Sequence, residues 1–112
     1  MKIDQRQSNN VDILELTGEL DFHSSPELRD RLQDLLKKQA GKILINLKKV
    51  NYIDSSGLAT FVETLQKMKR MNGKLVLTDL APAVRSVFEI AKLDQIFHLA
   101  ASEQEALTAF AG

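Results

Sequence analysis

The run Asp54-Ser55-Ser56-Gly57-Leu58 sets a carboxylate, two hydroxyls and a glycine side by side. It lies between Lys42-Ile43-Leu44-Ile45-Asn46-Leu47, a short apolar run of the kind that forms a buried strand, and Leu58, Phe61, Val62, Leu65 and Met68, which recur at helical spacing. Both hydroxyls therefore fall near a helix N-terminus, where free N–H groups and the positive end of the dipole favour a capping oxygen or an anion. A hydroxyl placed there can receive and display a phosphoryl group. The same residues also suit a plain structural purpose, with Asp54 and one serine capping the helix.

Other chemistry fits the chain poorly. A nucleophile elbow needs glycine two residues before its serine as well as two after, and Ile53 fills the first of those places. His23 and His98 are far apart with no acidic partner at a characteristic spacing, which argues for surface positions and against a triad or a metal site. The glycines form neither a Walker loop nor a dinucleotide fingerprint. Cysteine is absent, so thiolate catalysis and thiolate metal sites are excluded together. No catalytic residue, metal or cofactor is expected.

The elements that must hold the serines can be read along the chain. Met1 to Arg6 reads as an edge strand, Ser8-Asn9-Asn10 as a turn, and Val11, Ile13, Leu14 and Leu16 as a second strand, together a hairpin. Gly18 to His23 leaves that strand, and Ser25-Pro26 opens a helix with serine as N-cap and proline at the first position. Leu28, Leu32, Leu35 and Leu36 form its apolar face, and Gly41 near its end suits a left-handed residue. The Ile43 to Leu47 strand then leads through a Lys48 to Ile53 loop into the serine helix, which ends at Asn72-Gly73. Lys74 to Thr78 repeats the strand pattern. Pro82 opens a third helix with Val84, Val87, Phe88 and Ala91 on its apolar side, and Ile96 to Leu99 suggests a short strand. Ser102 with Glu105 forms a capping-box pattern before Ala106, Leu107 and Phe110. Alternating strands and helices predict an α/β fold, a small mixed β-sheet with a parallel centre.

With 112 residues, one domain covering the chain is expected. Fifteen basic and fifteen acidic residues cancel, so no net charge draws the chain to nucleic acid or membrane phosphate, and recognition must come from a local patch. Lys67, Lys69 and Arg70 are explained by the dipole at a helix C-terminus. No signal core or bilayer-length apolar run is present, which predicts a cytoplasmic location without membrane insertion.

Gly18-Glu19-Leu20-Asp21, the stretch from Asn46-Leu47 through Tyr52-Ile53-Asp54-Ser55-Ser56-Gly57-Leu58, Gly73, and Ala81-Pro82-Ala83-Val84 together carry a family resemblance. The chain resembles STAS domains, and within them the stand-alone bacterial anti-sigma factor antagonists, over essentially all its length. The resemblance implies the STAS fold, about five strands and four helices. It nominates Ser55, the first hydroxyl residue after the aspartate, as the site phosphorylated by an ATP-dependent serine kinase that is also the anti-sigma factor; Ser56 is the alternative acceptor. It further implies that the unphosphorylated form binds the kinase and that a serine phosphatase restores that form. Asp21, Asp54, Ser55, Ser56 and Gly57 would then form the partner-binding surface. Asp54 would position the acceptor, Gly57 would admit the partner's backbone and Leu58 would anchor the helix. Asp21 keeps a second reading, as organiser of the turn before the first helix. Ala59 departs from the glycine often found in close relatives. A constitutive STAS subunit of a membrane transport complex is the alternative function.

Overall fold

A computed structural model describes residues 1–111. The elements follow one another as β1 (Lys2–Ser8), β2 (Val11–Leu20), α1 (Ser25–Lys37), β3 (Lys42–Ile53), α2 (Ser55–Arg70), β4 (Lys74–Thr78), α3 (Pro82–Ile90), β5 (His98–Ala100) and α4 (Glu103–Ala111), with a 3-10 turn over Leu93–Gln95. The sheet has the order β1-β2-β3-β4-β5. β1 pairs with β2 antiparallel and every other neighbour is parallel, which is the expected mixed sheet. Asn9 (φ 52°) and Asn10 (φ 66°) make the hairpin connection, both in the left-handed conformation that a two-residue turn matching strand twist requires.

The strand order decides where the helices go. From β2 to β5 each new strand is added on the same side of the last, so right-handed crossovers deliver every connecting helix to one face. Leu28, Leu32 and Leu35 of α1, Phe61, Leu65 and Met68 of α2, and Val84 and Phe88 of α3 share one core with that face. Among the described residues α4, which follows the last strand, covers the other, where Ala106 and Phe110 meet Val11, Ile13, Leu44 and Val76. Strand order never reverses between parallel strands, so the fold lacks the switch-point crevice where open α/β sheets hold small ligands.

Several boundaries differ from the sequence reading. β2 continues through Gly18 to Leu20, and β3 continues through Lys48 to Ile53 where a loop was expected. Two irregularities hide the alternation: Glu15 to Thr17 of β2 lie opposite Asn46 to Lys49 of β3, and Gly18 to Glu19 lie opposite Val50 to Tyr52. Each bulge places an extra residue on β3 and breaks the period of two. Gly18, at φ 114°, takes a backbone conformation open to glycine. The residues in left-handed conformation after α1 and α2 are Gln39 and Asn72, not Gly41 or Gly73. A Cβ at Gly73 would stand 2.8 Å from Met68 Cε, the end of a flexible side chain that can move, and 3.2 Å from the Gly41 carbonyl oxygen. Ala91 is exposed beyond the end of α3, and β5 begins two residues later than the apolar pattern suggested.

Candidate functional site

Asp54 is the N-cap of α2, in extended backbone (φ −112°, ψ −172°), and its Oδ1 accepts from the N–H groups of Ser56 at 2.9 Å and Gly57 at 3.3 Å. Because the aspartate takes the capping work, neither serine hydroxyl is used for it. Ser55 is exposed at the first position of the helix, and among the described residues its hydroxyl has no hydrogen-bond partner. Ser56 is half-buried and lines a cleft between α1 and α2. Its carbonyl accepts from Thr60 Oγ1 at 3.0 Å, and the Thr60 carbonyl accepts from Thr64 Oγ1 at 2.8 Å, which keeps two buried hydroxyls satisfied along the inner side of α2.

Gly57 is buried, and a Cβ there would lie 2.8 Å from both Ile53 Cγ1 and Leu20 Cγ. Its lack of a side chain is thus required by the packing of α2 on the ends of β2 and β3. The close approach expected for a partner's backbone at this glycine is made by the protein's own strands. Leu58 is half-buried and packs against the core, as an anchor should. The backbone N–H of Asp54 donates to the Leu20 carbonyl at 3.1 Å, so the serine turn and the turn leaving β2 form one rigid edge.

Asp21 organises that second turn. Its Oδ1 accepts from His23 N at 2.9 Å and Ser24 N at 3.1 Å. The Ser24 N–H bond holds the Asp21 carboxyl below its ordinary value; desolvation opposes it, and the His23 N–H bond adds to the lowering. Ser25 is not the N-cap expected from Ser25-Pro26: it is buried, and its hydroxyl donates to the Asp21 carbonyl at 2.6 Å. Ser24 holds the cap position without a capping bond of its own, while Ser24 Oγ donates to the Glu19 carbonyl at 2.8 Å. Asp21 also lines a polar surface cleft beside Glu19, His23 and Glu27.

Three surface features escaped the sequence reading. Phe22 is 65% exposed and Tyr52 50% exposed, on the two strand exits that flank the serine turn. Arg29 Nη2 lies 2.9 Å from Glu63 Oε2, tying α1 to α2 below the cleft. The Glu63 carboxyl is lowered first by its bond from Lys67 and then, after opposing desolvation, by Arg29. The isolated aromatic residues between elements were the available signal, although only the topology shows that they meet at one edge. Ala59, the departure from close relatives, is exposed and lines the same cleft as Phe22 and Ser56. His23 and His98 are exposed, and the described residues contain no group of three or more His, Cys, Asp or Glu side chains able to hold a metal ion. No helix among them is long and apolar enough to cross a membrane.

The structure is thus a parallel sheet extended by an antiparallel first strand, with an Asp-capped serine turn where β3 passes into α2. The chain belongs to the STAS domain family, whose model matches residues 2–106. It is 34% identical over 104 residues to the anti-sigma-B factor antagonist of Bacillus subtilis, spanning 93% of this chain and 94% of that one. Its fold matches that of an anti-sigma factor antagonist from Mycobacterium paratuberculosis with a TM-score of 0.91 at 23% identity, covering 99% of this chain and 94% of the other. It also matches the Bacillus cell fate determinant SpoIIAA in its phosphorylated form with a TM-score of 0.77 at 22% identity, covering 97% and 99%.

Proposed function

We propose that this protein is an anti-sigma factor antagonist that binds a serine kinase when unphosphorylated and releases it when Ser55 carries a phosphate. The observation that carries this reading is the division of labour at the α2 N-terminus, where Asp54 caps the helix and leaves the Ser55 hydroxyl exposed and, among the described residues, without a partner. A kinase can reach that oxygen, and so can a phosphatase, without unfolding the helix. Ser56 is the poorer acceptor because it is half-buried in the cleft.

The chemistry of transfer also supplies the switch. To be phosphorylated, Ser55 must lie in line with the terminal phosphate of the kinase's ATP. A phosphate on Ser55 adds about −1.5 to −2 charges beside Asp54 and faces the nucleotide's own phosphates. Repulsion there opposes docking, and each ~1.4 kcal/mol lowers affinity tenfold. The fold has no reason to change, since negative charge at a helix N-terminus is favourable by roughly 0.3–1 kcal/mol.

Wild-type, Ser55→Ala and Ser55→Asp baits test the reading against a lysate of the native organism, with bound proteins identified by mass spectrometry and bait stability measured in parallel. A serine kinase should be retained by the first two and lost by Ser55→Asp, while Ser55→Asp unfolds at the same or slightly higher denaturant concentration. Equal retention of a membrane transport complex by all three would overturn the switch and favour a constitutive subunit.

A further inference from the structure

We infer that Phe22 is the apolar anchor of kinase docking, received by the kinase in an apolar pocket with a basic rim; this rests on the function proposed above. An aromatic ring left 65% exposed keeps a large apolar surface in water, and an exposed aromatic ring with a polar rim has the composition of an interface core. The ring is held in place. Asp21 fixes the turn on either side of it through His23 N and Ser24 N, and the His23 imidazole lies against it with ring centroids 4.1 Å apart. A preorganised ring loses little conformational entropy on binding.

Its position relative to the acceptor is fixed too. Phe22 shares a cleft of about 510 Å³ with Ser25, Pro26, Ser56, Ala59 and Thr60, so the ring stands across the cleft from the residue that follows Ser55. The Leu20 carbonyl to Asp54 N–H bond and the seating of Gly57 on Leu20 lock the two turns together. A partner that holds Phe22 therefore holds Ser55 at a set offset, which is what in-line transfer requires.

The surrounding charge specifies the rim. Glu19, Asp21 and Glu27 line the cleft on one side of the Phe22 turn, and Asp30 lines the other. Arg29, the cation on that side, is committed to Glu63. A complementary surface is basic around an apolar centre, and it meets the phosphosite at the edge of this ring of acids.

The kinase retained by the Ser55→Ala bait, once purified, supplies the probe. Steady-state phosphorylation of the whole chain with ATP is measured for wild type, Phe22→Ala and Phe22→Leu, with each variant's fold checked by circular dichroism and its association state by sedimentation. Phe22→Ala should raise KM for the chain by about tenfold or more with kcat nearly unchanged, and Phe22→Leu should recover part of the loss. An unchanged KM, or a fall in kcat alone, overturns the anchor while leaving Ser55 as the acceptor. A wild-type chain that self-associates through Phe22, with KM unaffected, overturns it in favour of a second copy as the occupant. Absence of phosphorylation at Ser55 in the wild type overturns the underlying reading instead.

Discussion

The first turn of α2 can lie against Leu20 and Ile53 because position 57 carries only a hydrogen atom. Gly57→Ala would bring a methyl group to 2.8 Å from both side chains, and the strand ends and the helix would have to separate to admit it. Overpacking of this kind costs about 1–3 kcal/mol. Gly41→Ala is the control, since nothing lies within 4 Å of its Cβ position, and there the change should be neutral or stabilising by up to about 1 kcal/mol. Urea denaturation of the two variants separates them; equal midpoints would refute the packing role of Gly57. At this scale the sequence showed part of the site. Asp54 and Ser55 could be placed because a cap and its helix are local, with partners two or three residues away. The reason for Gly57 could not be read, because Leu20 lies far away in sequence and only the pairing of β2 with β3 brings it to the glycine. Ser25 misled for a related cause: Asp21, four residues earlier, satisfies the turn and turns the serine inward.

Helix α4 covers its face of the sheet alone, and its attachment is correspondingly specific. Glu103 accepts from Arg6 of β1 and, through Oε1 at 3.0 Å, from Asn46 of β3. Burial pushes the Glu103 carboxyl upward, but the bonds from Arg6 and Asn46 together outweigh it and hold the group below its ordinary value of 4.5. A carboxyl lowered in the folded state stabilises the fold above its unfolded pKa, and that contribution disappears as pH falls through the folded one. Hydrogen exchange should therefore show the amides of α4 losing protection in acid below pH 4.5, and Glu103→Gln should remove that acid step. The first turn of α1, where the lowered Asp21 carboxyl titrates, should keep its own acid step in the variant. Loss of both steps in Glu103→Gln, or of neither, would contradict the assignment. The capping pattern that starts α4 was legible, and the Glu105 N–H does donate to Ser102 Oγ at 3.2 Å. The clamp by Arg6 was not, because Arg6 and Glu103 are 97 residues apart and no local pattern reports that α4 crosses back over the sheet to reach β1.

The whole molecule has no net charge, yet some of its charges are grouped by end. Asp21 and Asp54 lie where β2 and β3 exit, whereas Lys37, Lys38, Lys69, Arg70 and the strand-opening lysines Lys42 and Lys74 lie at the opposite edge. The cause is topological: helices delivered by successive parallel crossovers point the same way, and side chains that complement each helix end accumulate at the same two poles. A sum over the sequence hides this separation, which becomes visible only once β2, β3 and β4 are known to run side by side. Ser55 and Phe22 lie at the acidic end, so under the proposed function a basic partner would be attracted before contact, and repulsion of a phosphate on Ser55 would act at short range, at the nucleotide. Association of the unphosphorylated chain with the kinase should then slow by about tenfold or more as ionic strength rises from ~50 mM to ~500 mM, with dissociation little affected. Stopped-flow kinetics can resolve the two rates. Glu27→Lys should reduce the association rate and its salt dependence. Lys69→Glu, at the other pole of a body 24–29 Å across, should leave both within about twofold, since the Debye length near 0.1 M is only about 10 Å. A salt-independent association rate, or one equally sensitive to both substitutions, would mean that the separated charges serve the helix ends alone and play no part in bringing the partner to Ser55.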